Sequence, residues 1–241
     1  MNRNQLKIIA CISMLIDHIG YIIFPGVTAL RLIGRLAMPL FAFFIGEGCL
    51  YTKNRKKYFL RVFLLGLLCQ AVYIAESLIT DSDGGAYLNI LLTFSVSIIL
   101  CSSFIRAKES FKNENQREKI KNITVFLLTF AAVFTLTAFC ENSLATVGIG
   151  IEFDYGVFGI CLPLFAAASN IKCNKLISFS VAHIVLAYNF YGLNSLFFCS
   201  LIPLVLLLFY NGKGGKKNLK YFFYAFYPCH LALIYLVSFI I

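Results

Sequence analysis

The sequence has no tryptophan, few charged residues and no long polar stretch. Charged residues make up 13% of its 241 positions and hydrophobic residues 60%, and the mean hydropathy is +0.82. Because a soluble domain needs more polar surface than this, the chain is predicted to be an integral membrane protein. Since no polar segment is long enough to bury a core of its own, a single transmembrane domain is predicted over 1–241.

Several familiar site motifs are also absent. The nine cysteines include no Cys-x-x-Cys pair and the three histidines are widely separated, so neither a disulfide framework nor a metal site is predicted. The glycine-rich segments GIGIEF (148–153) and NGKGGKK (211–217) do not fit the GxxxxGK[ST] phosphate loop. The net charge of +10 is assigned to membrane orientation, and nucleic acid is not expected as a partner.

Apolar runs recur along the chain with the length that a helix needs to cross a bilayer core. We therefore predict an all-α integral membrane protein, a polytopic bundle of about nine transmembrane helices. Their predicted ranges are 5–24, 30–51, 58–79, 87–106, 120–140, 154–170, 175–190, 194–210 and 220–241. The first run lacks a small-residue cleavage site and contains ionisable residues, so it is predicted to be a retained span and not a signal peptide.

Lysine and arginine concentrate in alternate connections between these spans. Nineteen of the 21 lie at Arg3 and Lys7 and in the segments 53–61, 106–121, 172–175 and 213–220. The connections 25–29, 80–86, 141–153 and 191–193 contain none. The positive-inside rule then predicts a multi-pass protein of the cytoplasmic membrane, surrounded by membrane lipids, with a cytoplasmic N-terminus and an external C-terminus.

Two arginines fall inside the second predicted span. Arg31 and Arg35 are four positions apart, so they share one helix face. The short connection places this face beside Asp17 and His18 of the first span. Intramembrane charges are costly and usually mark a functional pathway. Two structural alternatives remain open, namely a purely structural ion pair and arginines that reach the outer headgroups.

Histidines are the candidates for proton transfer. Adjacent helix positions point about 100° apart, so Asp17 is predicted to pair with an arginine and to leave His18 free to titrate. A histidine can take up and return a proton near neutral pH, and paired arginines suit an anion or a developing oxyanion. His230, which follows Pro228, is equally compatible with packing and with chemistry, whereas His183 is predicted to be structural.

The segments LKIIACISMLIDHIGYIIFP (6–25) and LRLIGRLAMPLFAFFIGEG (30–48) together resemble the TraX family of conjugal-transfer membrane proteins. Further matching pieces, in the same order, are NRKKYFLR (54–61), NILLTF (89–94), DYGVFGI (154–160) and KYFFYAFYPCHLALIYL (220–236). The family's founding member is associated with N-terminal acetylation of a pilin. The resemblance therefore implies a membrane-embedded acetyltransferase.

The resemblance also implies the participants in the reaction. The donor would be acetyl-CoA, and the acceptor would be an amine or hydroxyl of a pilin-like protein or a glycan. The positions that match the family's motifs suggest catalytic roles for Asp17, His18, Arg31, Arg35 and His230, and substrate-binding roles for Glu47, Asn89 and Asp154. His18 is the candidate general base, the arginines would stabilise charge on the thioester oxygen, and no metal is expected.

Two other function classes stay open at this point. A small-solute or proton-coupled transporter would use the same cluster as its substrate and proton site, although the odd span number and the lack of a detectable repeat count against it. A non-enzymatic assembly factor is the third class. Replacement of His18 by alanine would abolish acetyl transfer in the first case and uptake in the second, and would change little in the third.

Overall fold

Helices form nearly all of the chain that the computed structural model describes, which is residues 1–80, 87–112, 114–143 and 151–240, without the side chains of 142–143. Residues 81–86 of the connection predicted at 80–86, with Asp81 and Asp83, and residues 144–150 of the connection predicted at 141–153 lie outside the described residues. The described α-helices are α1 (Arg3–Ile22), α2 (Thr28–Gly34), α3 (Ala37–Tyr51), α4 (Arg55–Thr80), α5 (Ile90–Ser110), α6 (Gln116–Ala138), α7 (Gly156–Ala167), α8 (Lys172–Tyr191), α9 (Ser195–Leu208) and α10 (Lys220–Ser238). A π-helical turn follows α6 at Phe139–Ser143, and the two-residue strands β1 (Tyr87–Leu88) and β2 (Glu152–Phe153) pair in parallel.

Six segments are long and apolar enough to cross a membrane: Arg3–Ile22, Thr28–Tyr51, Arg55–Thr80, Ile90–Ser110, Gln116–Glu141 and Lys220–Ser238. They match six of the nine predicted spans. Helices α7 and α9 are apolar, but their 12 and 14 residues are shorter than the ~20 that a bilayer core requires. The chain is a helical, multi-pass membrane protein, while the count of nine and the sides of the termini stay predictions.

The second span differs from the continuous helix predicted over 30–51. Helix α2 ends at Gly34 and α3 begins at Ala37, and the backbone N–H groups of Arg35 and Leu36 donate to carbonyls only three residues earlier, both at 3.3 Å. The sequence supplies two causes. Glycine is a poor helix former, and Pro39 has no N–H to donate to the carbonyl four residues before it. This tightened turn sets the direction in which Arg35 leaves the helix.

The chain divides into two compact units. Unit 1 comprises residues 1–43 and 172–241, and unit 2 comprises residues 44–171. In unit 1, Phe43, Phe179 and Tyr210 are almost fully buried, and the Phe43 ring meets the other two edge-on at 5.3 and 6.1 Å. In unit 2, α5 packs against α4, α6 and α7. That the whole of 1–241 is one domain stays a prediction.

Candidate functional site

Helices α1 and α2 approach closely because glycines lie where they meet. A methyl group on Gly20 would lie 2.6 Å from the Leu30 Cβ, and one on Gly34 would overlap the Asp17 carboxylate. Small residues of this kind let membrane helices pack backbone to backbone. The close approach brings the Asp17 side chain to the end of α2.

Asp17 forms ion pairs with both arginines. Its Oδ1 lies 2.7 Å from Nη2 of Arg35, and its Oδ2 lies 2.9 Å from Nη1 of Arg31. The prediction that Asp17 pairs with an arginine is confirmed, and the pairing includes both. Since one carboxylate faces two guanidinium groups, the three side chains have a formal net charge of +1.

The two arginines differ in how fully they are engaged. All three nitrogens of Arg35 donate hydrogen bonds, Nε to the Arg31 carbonyl at 3.1 Å, Nη1 to the Tyr191 hydroxyl at 3.0 Å and Nη2 to Asp17. Among the described residues, Arg31 has polar partners only at Nη1, which donates to the Asp17 carbonyl at 3.3 Å and forms the ion pair with the Asp17 carboxylate. Its guanidinium also lies over the Tyr21 ring, 5.0 Å from the centroid. The exposed fraction of the side chain is 31% for Arg31 and 11% for Arg35. Nε and Nη2 of Arg31 are therefore donors that a ligand could use, whereas the three hydrogen bonds of Arg35 hold its guanidinium in one orientation.

His18 and His230 form a histidine pair. Nε2 of His230 lies 3.1 Å from Nδ1 of His18, across a separation of 212 residues in sequence. Nδ1 of His18 also lies 2.9 Å from the Met14 carbonyl, and Nδ1 of His230 lies 2.8 Å from the Phe226 carbonyl. A carbonyl can only accept, so each ring carries its proton on Nδ1. His230 then accepts through Nε2, and the lone pair of His18 is on its Nε2. The prediction of a freely titrating His18 is thus modified, since its Nδ1 is held by two partners.

Aromatic side chains surround the histidine pair. The Phe226 ring stacks on His230 with centroids 4.9 Å apart, and Tyr227 meets the edges of both imidazoles at 6.2 and 5.3 Å. Sequence reasoning missed these two residues, although they precede His230 by four and three positions, the spacing of helix neighbours. It also missed Tyr191, for which no local sequence signal existed.

The three predicted substrate-binding residues belong to unit 2. Asn89 is 2% exposed, and its side-chain oxygen caps α5 by accepting from the Leu91 N–H. Its side-chain amide donates to the Gly66 carbonyl and to Oε1 of Gln70, each at 2.9 Å. These bonds give Asn89 a structural role, and its substrate-binding role stays a prediction. Glu47 is buried on α3, and its predicted role is likewise untested.

Asp154 accepts a hydrogen bond from the Tyr87 hydroxyl at 2.6 Å, and its own carbonyl accepts from the Thr93 hydroxyl at 3.2 Å. Partial burial and the neighbouring carboxylate raise the pKa of the Tyr87 phenol, so this side chain remains a donor at neutral pH. Asp154 thus ties β2 and α7 to the start of α5. Its predicted substrate-binding role stays untested.

The third histidine lies apart from the pair on helix α8. Nε2 of His183 contacts the Ser200 carbonyl at 2.7 Å, and its ring lies parallel to that of Phe179. Both observations are typical of a packed, structural histidine. Within the described ranges, no three His, Cys, Asp or Glu side chains are placed to hold a metal ion, and the cysteines are free thiols.

Comparison of the sequence with known proteins identifies the family of the chain. The chain is 29% identical to the probable fimbrial assembly protein FimC, serogroup H1, of Dichelobacter nodosus, and the match covers 97% of each chain. A shorter match, 43% identical over 28% of this chain and 25% of the other, is to the uncharacterized protein RP591 of Rickettsia prowazekii (strain Madrid E). No solved structure matches. The family model described as TraX protein matches residues 2–238, and the chain therefore belongs to the TraX family.

Proposed function

We propose that this protein is a membrane-embedded acetyltransferase that moves an acetyl group from acetyl-CoA to an amine or hydroxyl of an acceptor. The observation that carries the proposal is the histidine pair, which lies directly beside the ion pairs of Asp17 with Arg31 and Arg35 in unit 1. Acyl transfer requires a proton acceptor next to N–H donors that can stabilise a developing oxyanion. Nε and Nη2 of Arg31, which have no polar partner among the described residues, can supply those donors.

His18 acts as the general base through its Nε2. It removes the proton from the acceptor amine or hydroxyl as that group attacks the thioester carbonyl. The tetrahedral intermediate collapses, the acetyl group stays on the acceptor, and the thiolate of CoA leaves and takes the proton from His18. His230 accepts the Nδ1 hydrogen of His18, which fixes the imidazole orientation and stabilises the positive charge that forms on His18 in between.

The arginines have separate roles in this mechanism. Arg31, with Nε and Nη2 unused by the described residues, stabilises the negative charge that develops on the thioester oxygen. Arg35 holds Asp17 and Tyr191 in place and acts as a positioning residue. Asp17 orients both guanidinium groups. The substrate-binding roles that the resemblance suggests for Glu47, Asn89 and Asp154 are not part of this mechanism and stay predictions.

The family and the relative from Dichelobacter nodosus favour a pilus-related acceptor. That relative is named a probable fimbrial assembly protein, so a pilin-like chain is the first acceptor to test, with a glycan as the second. The cytoplasmic membrane is the proposed location, because acetyl-CoA is a cytoplasmic metabolite and the basic connections favour that membrane's inner face.

Contacts within unit 1 support the proposed topology of nine spans. The N-terminal end of α1 is bonded to the segment that leads into α10, so both helices start at the same end. If both helices cross the membrane from the same side, the chain must cross it an odd number of times between the end of α1 and the start of α10. The four other segments of spanning length give an even number, and adding α7, α8 and α9 gives seven. A cytoplasmic N-terminus and an external C-terminus follow from that count and the basic loops.

The test is acetyl transfer by the purified protein in detergent, using labelled acetyl-CoA and a pilin N-terminal peptide. The His18→Ala variant should lose at least about 100-fold in rate, the usual contribution of a general base. His183→Ala, a buried histidine of the same unit, serves as the matched control and should change thermal stability more than rate per folded molecule. Equal rates for His18→Ala and the wild type, or no transfer by well-folded protein at millimolar donor, would refute the proposal.

A further inference from the structure

Six basic side chains collect at one end of unit 1, and we call them the basic platform: Arg3, Lys7, Lys213, Lys216, Lys217 and Lys220. No acidic residue occurs in the segments that carry them, and Asp17 is the only acidic residue of unit 1. Lys213, Lys216 and Lys217 are exposed and form no ion pair with any residue that the structure describes. Lys213, Lys216 and Lys217 therefore present positive charge that no described carboxylate neutralises.

Hydrogen bonds to backbone carbonyls hold the platform in a defined shape. The Arg3 backbone N–H donates to the Lys213 carbonyl at 2.9 Å, and the Asn4 side-chain amide donates to the Lys217 carbonyl at 2.8 Å. Gly215 lies so close to the Asn4 side chain that a Cβ there would overlap it. The lysines are thus presented by a loop fastened to the start of α1, and not by a free tail.

The platform lies at a fixed distance from the histidine pair. Helix α1 runs from Lys7 to His18 in 11 residues, and α10 runs from Lys220 to His230 in 10, which at 1.5 Å per residue is about 15–17 Å along either helix. An extended phosphopantetheine arm of single bonds reaches on the order of 15–20 Å. The phosphates of an acyl donor at the platform would leave its thioester within reach of His18.

We propose that the basic platform binds the phosphate groups of the nucleotide part of the acyl donor, which rests on the acetyltransferase function proposed above. Coenzyme A carries a diphosphate and a 3′-phosphate, so several lysines can each make a charge-assisted hydrogen bond. The donor enters from the basic end, and its arm follows α1 and α10 to the histidine pair. The acceptor then meets the acetyl group from the opposite end.

The other strongly basic loop, KNRKK at 53–57, is the natural comparison. It belongs to unit 2, where Arg55 pairs with Glu109 at 3.3 Å and donates to the Cys49 carbonyl. Both loops are positively charged, so charge alone does not choose between them. We choose the platform as the phosphate site because, of these two loops, only the platform is continuous with α1 and α10, the helices that contain His18 and His230.

The experiment measures binding of adenosine 3′,5′-bisphosphate, which has the phosphates but no arm, to the purified protein in neutral detergent. The double variant Lys216→Ala/Lys217→Ala is compared with Lys56→Ala/Lys57→Ala, all four lysines being exposed. The first should weaken binding about tenfold, from the loss of two phosphate contacts, and the second less than about twofold. Binding should also fall steeply as salt is raised.

Three results would contradict the proposal that the basic platform binds the phosphates of the donor. They are no binding at millimolar bisphosphate, an equal effect of the two double variants, or binding that disappears in nanodiscs of anionic lipid because lipid headgroups occupy the lysines. Acetyl transfer from acetyl-pantetheine, which has no phosphates, distinguishes failure of phosphate binding at the platform from failure of the proposed acetyltransferase function. If the wild type and the Lys216→Ala/Lys217→Ala variant use it equally well, the catalytic site is intact; if neither uses it, the acetyltransferase proposal fails.

Discussion

The two units have almost the same number of basic residues and very different numbers of acidic ones. Unit 1 contains ten lysines and arginines with one acidic residue, Asp17, whereas unit 2 contains eleven with ten. In unit 1 the one carboxylate lies between two arginines beside the histidine pair. In unit 2 the buried side chain of Asn89 instead caps α5 and donates to the Gly66 carbonyl and to the Gln70 side chain. Buried polar groups are costly in either place. Under the proposed function the polar cluster of unit 1 carries the chemistry, whereas Asn89 in unit 2 caps a helix.

Removal of the carboxylate from unit 1 should have the largest effect. Asp17→Asn leaves Arg31 and Arg35 without a counter-charge, and breaking a largely buried pair costs on the order of 3 kcal/mol. We expect acetyl transfer to fall at least about 100-fold, because the oxyanion donors lose their orientation. Transfer assays and thermal unfolding in detergent measure the two effects.

The matched control for Asp17→Asn is Glu109→Gln in unit 2. It breaks the Arg55 ion pair, whose acidic side chain is 59% exposed, so the loss should be below about 1 kcal/mol, with no change in transfer. If the two variants had similar consequences, the proposed division between the units would be wrong.

A methyl group placed against Asp17 should have the next largest effect. Gly34→Ala puts a Cβ where the Asp17 carboxylate lies, so the carboxylate must move and its two ion pairs lengthen. We expect transfer to fall by roughly tenfold or more, as for other misplaced catalytic groups. Gly26→Ala, next to α2 and with nothing within 4 Å of the added Cβ, should leave transfer unchanged. Wild-type activity in Gly34→Ala would show that the position of Asp17 is unimportant.

These effects also show how much of the site could be read from the sequence. The pairing of Asp17 with Arg31 and Arg35 follows from a short connection and a spacing of four, both local properties. The contact of His18 with His230 does not, because it joins residues 212 positions apart and depends on how α1 and α10 pack. Local patterns place side chains on a helix face, but they do not say which distant helix covers that face.

The fold shows the same limit. Hydropathy identified the six segments of spanning length, since a 20-residue apolar run is a strong and local signal. It did not identify the turn at Arg35 and Leu36, although Pro39 was a visible cause. The spans predicted at 154–170 and 194–210 are longer than α7 and α9, because their predicted bounds include flanking residues such as Asp154, Asn170 and the N-cap Asn194, which lie outside the helices.

A substitution in unit 2 should separate stability from activity. Asn89→Ala removes the α5 cap and the two buried hydrogen bonds that the Asn89 side-chain amide donates to the Gly66 carbonyl and to Oε1 of Gln70. We expect about 2–3 kcal/mol of lost stability, against about 1 kcal/mol for Asn194→Ala, an exposed cap of α9 with one bond to Phe197. Transfer per folded molecule should stay within about twofold at this loss of stability. A specific rise in the KM for acetyl-CoA or acceptor would instead favour a substrate-binding role for Asn89.

The smallest effect is expected from the Tyr87 hydroxyl in unit 2. Tyr87→Phe removes one partly exposed hydrogen bond to Asp154, which contributes at most about 1 kcal/mol. Because the pKa of Tyr87 is raised in the folded chain, this contribution is fully present below the ordinary phenol pKa of 10.0. It is lost as pH rises above that value, since the unfolded chain then ionises first. The difference in melting temperature between wild type and Tyr87→Phe should therefore be constant from pH 7 to 9 and shrink by about pH 10.5. A difference that grew with pH would mean that the folded chain favours the phenolate, which cannot donate to the Asp154 carboxylate. The hydrogen bond would then be absent, and Asp154 would be open to the substrate role predicted for it.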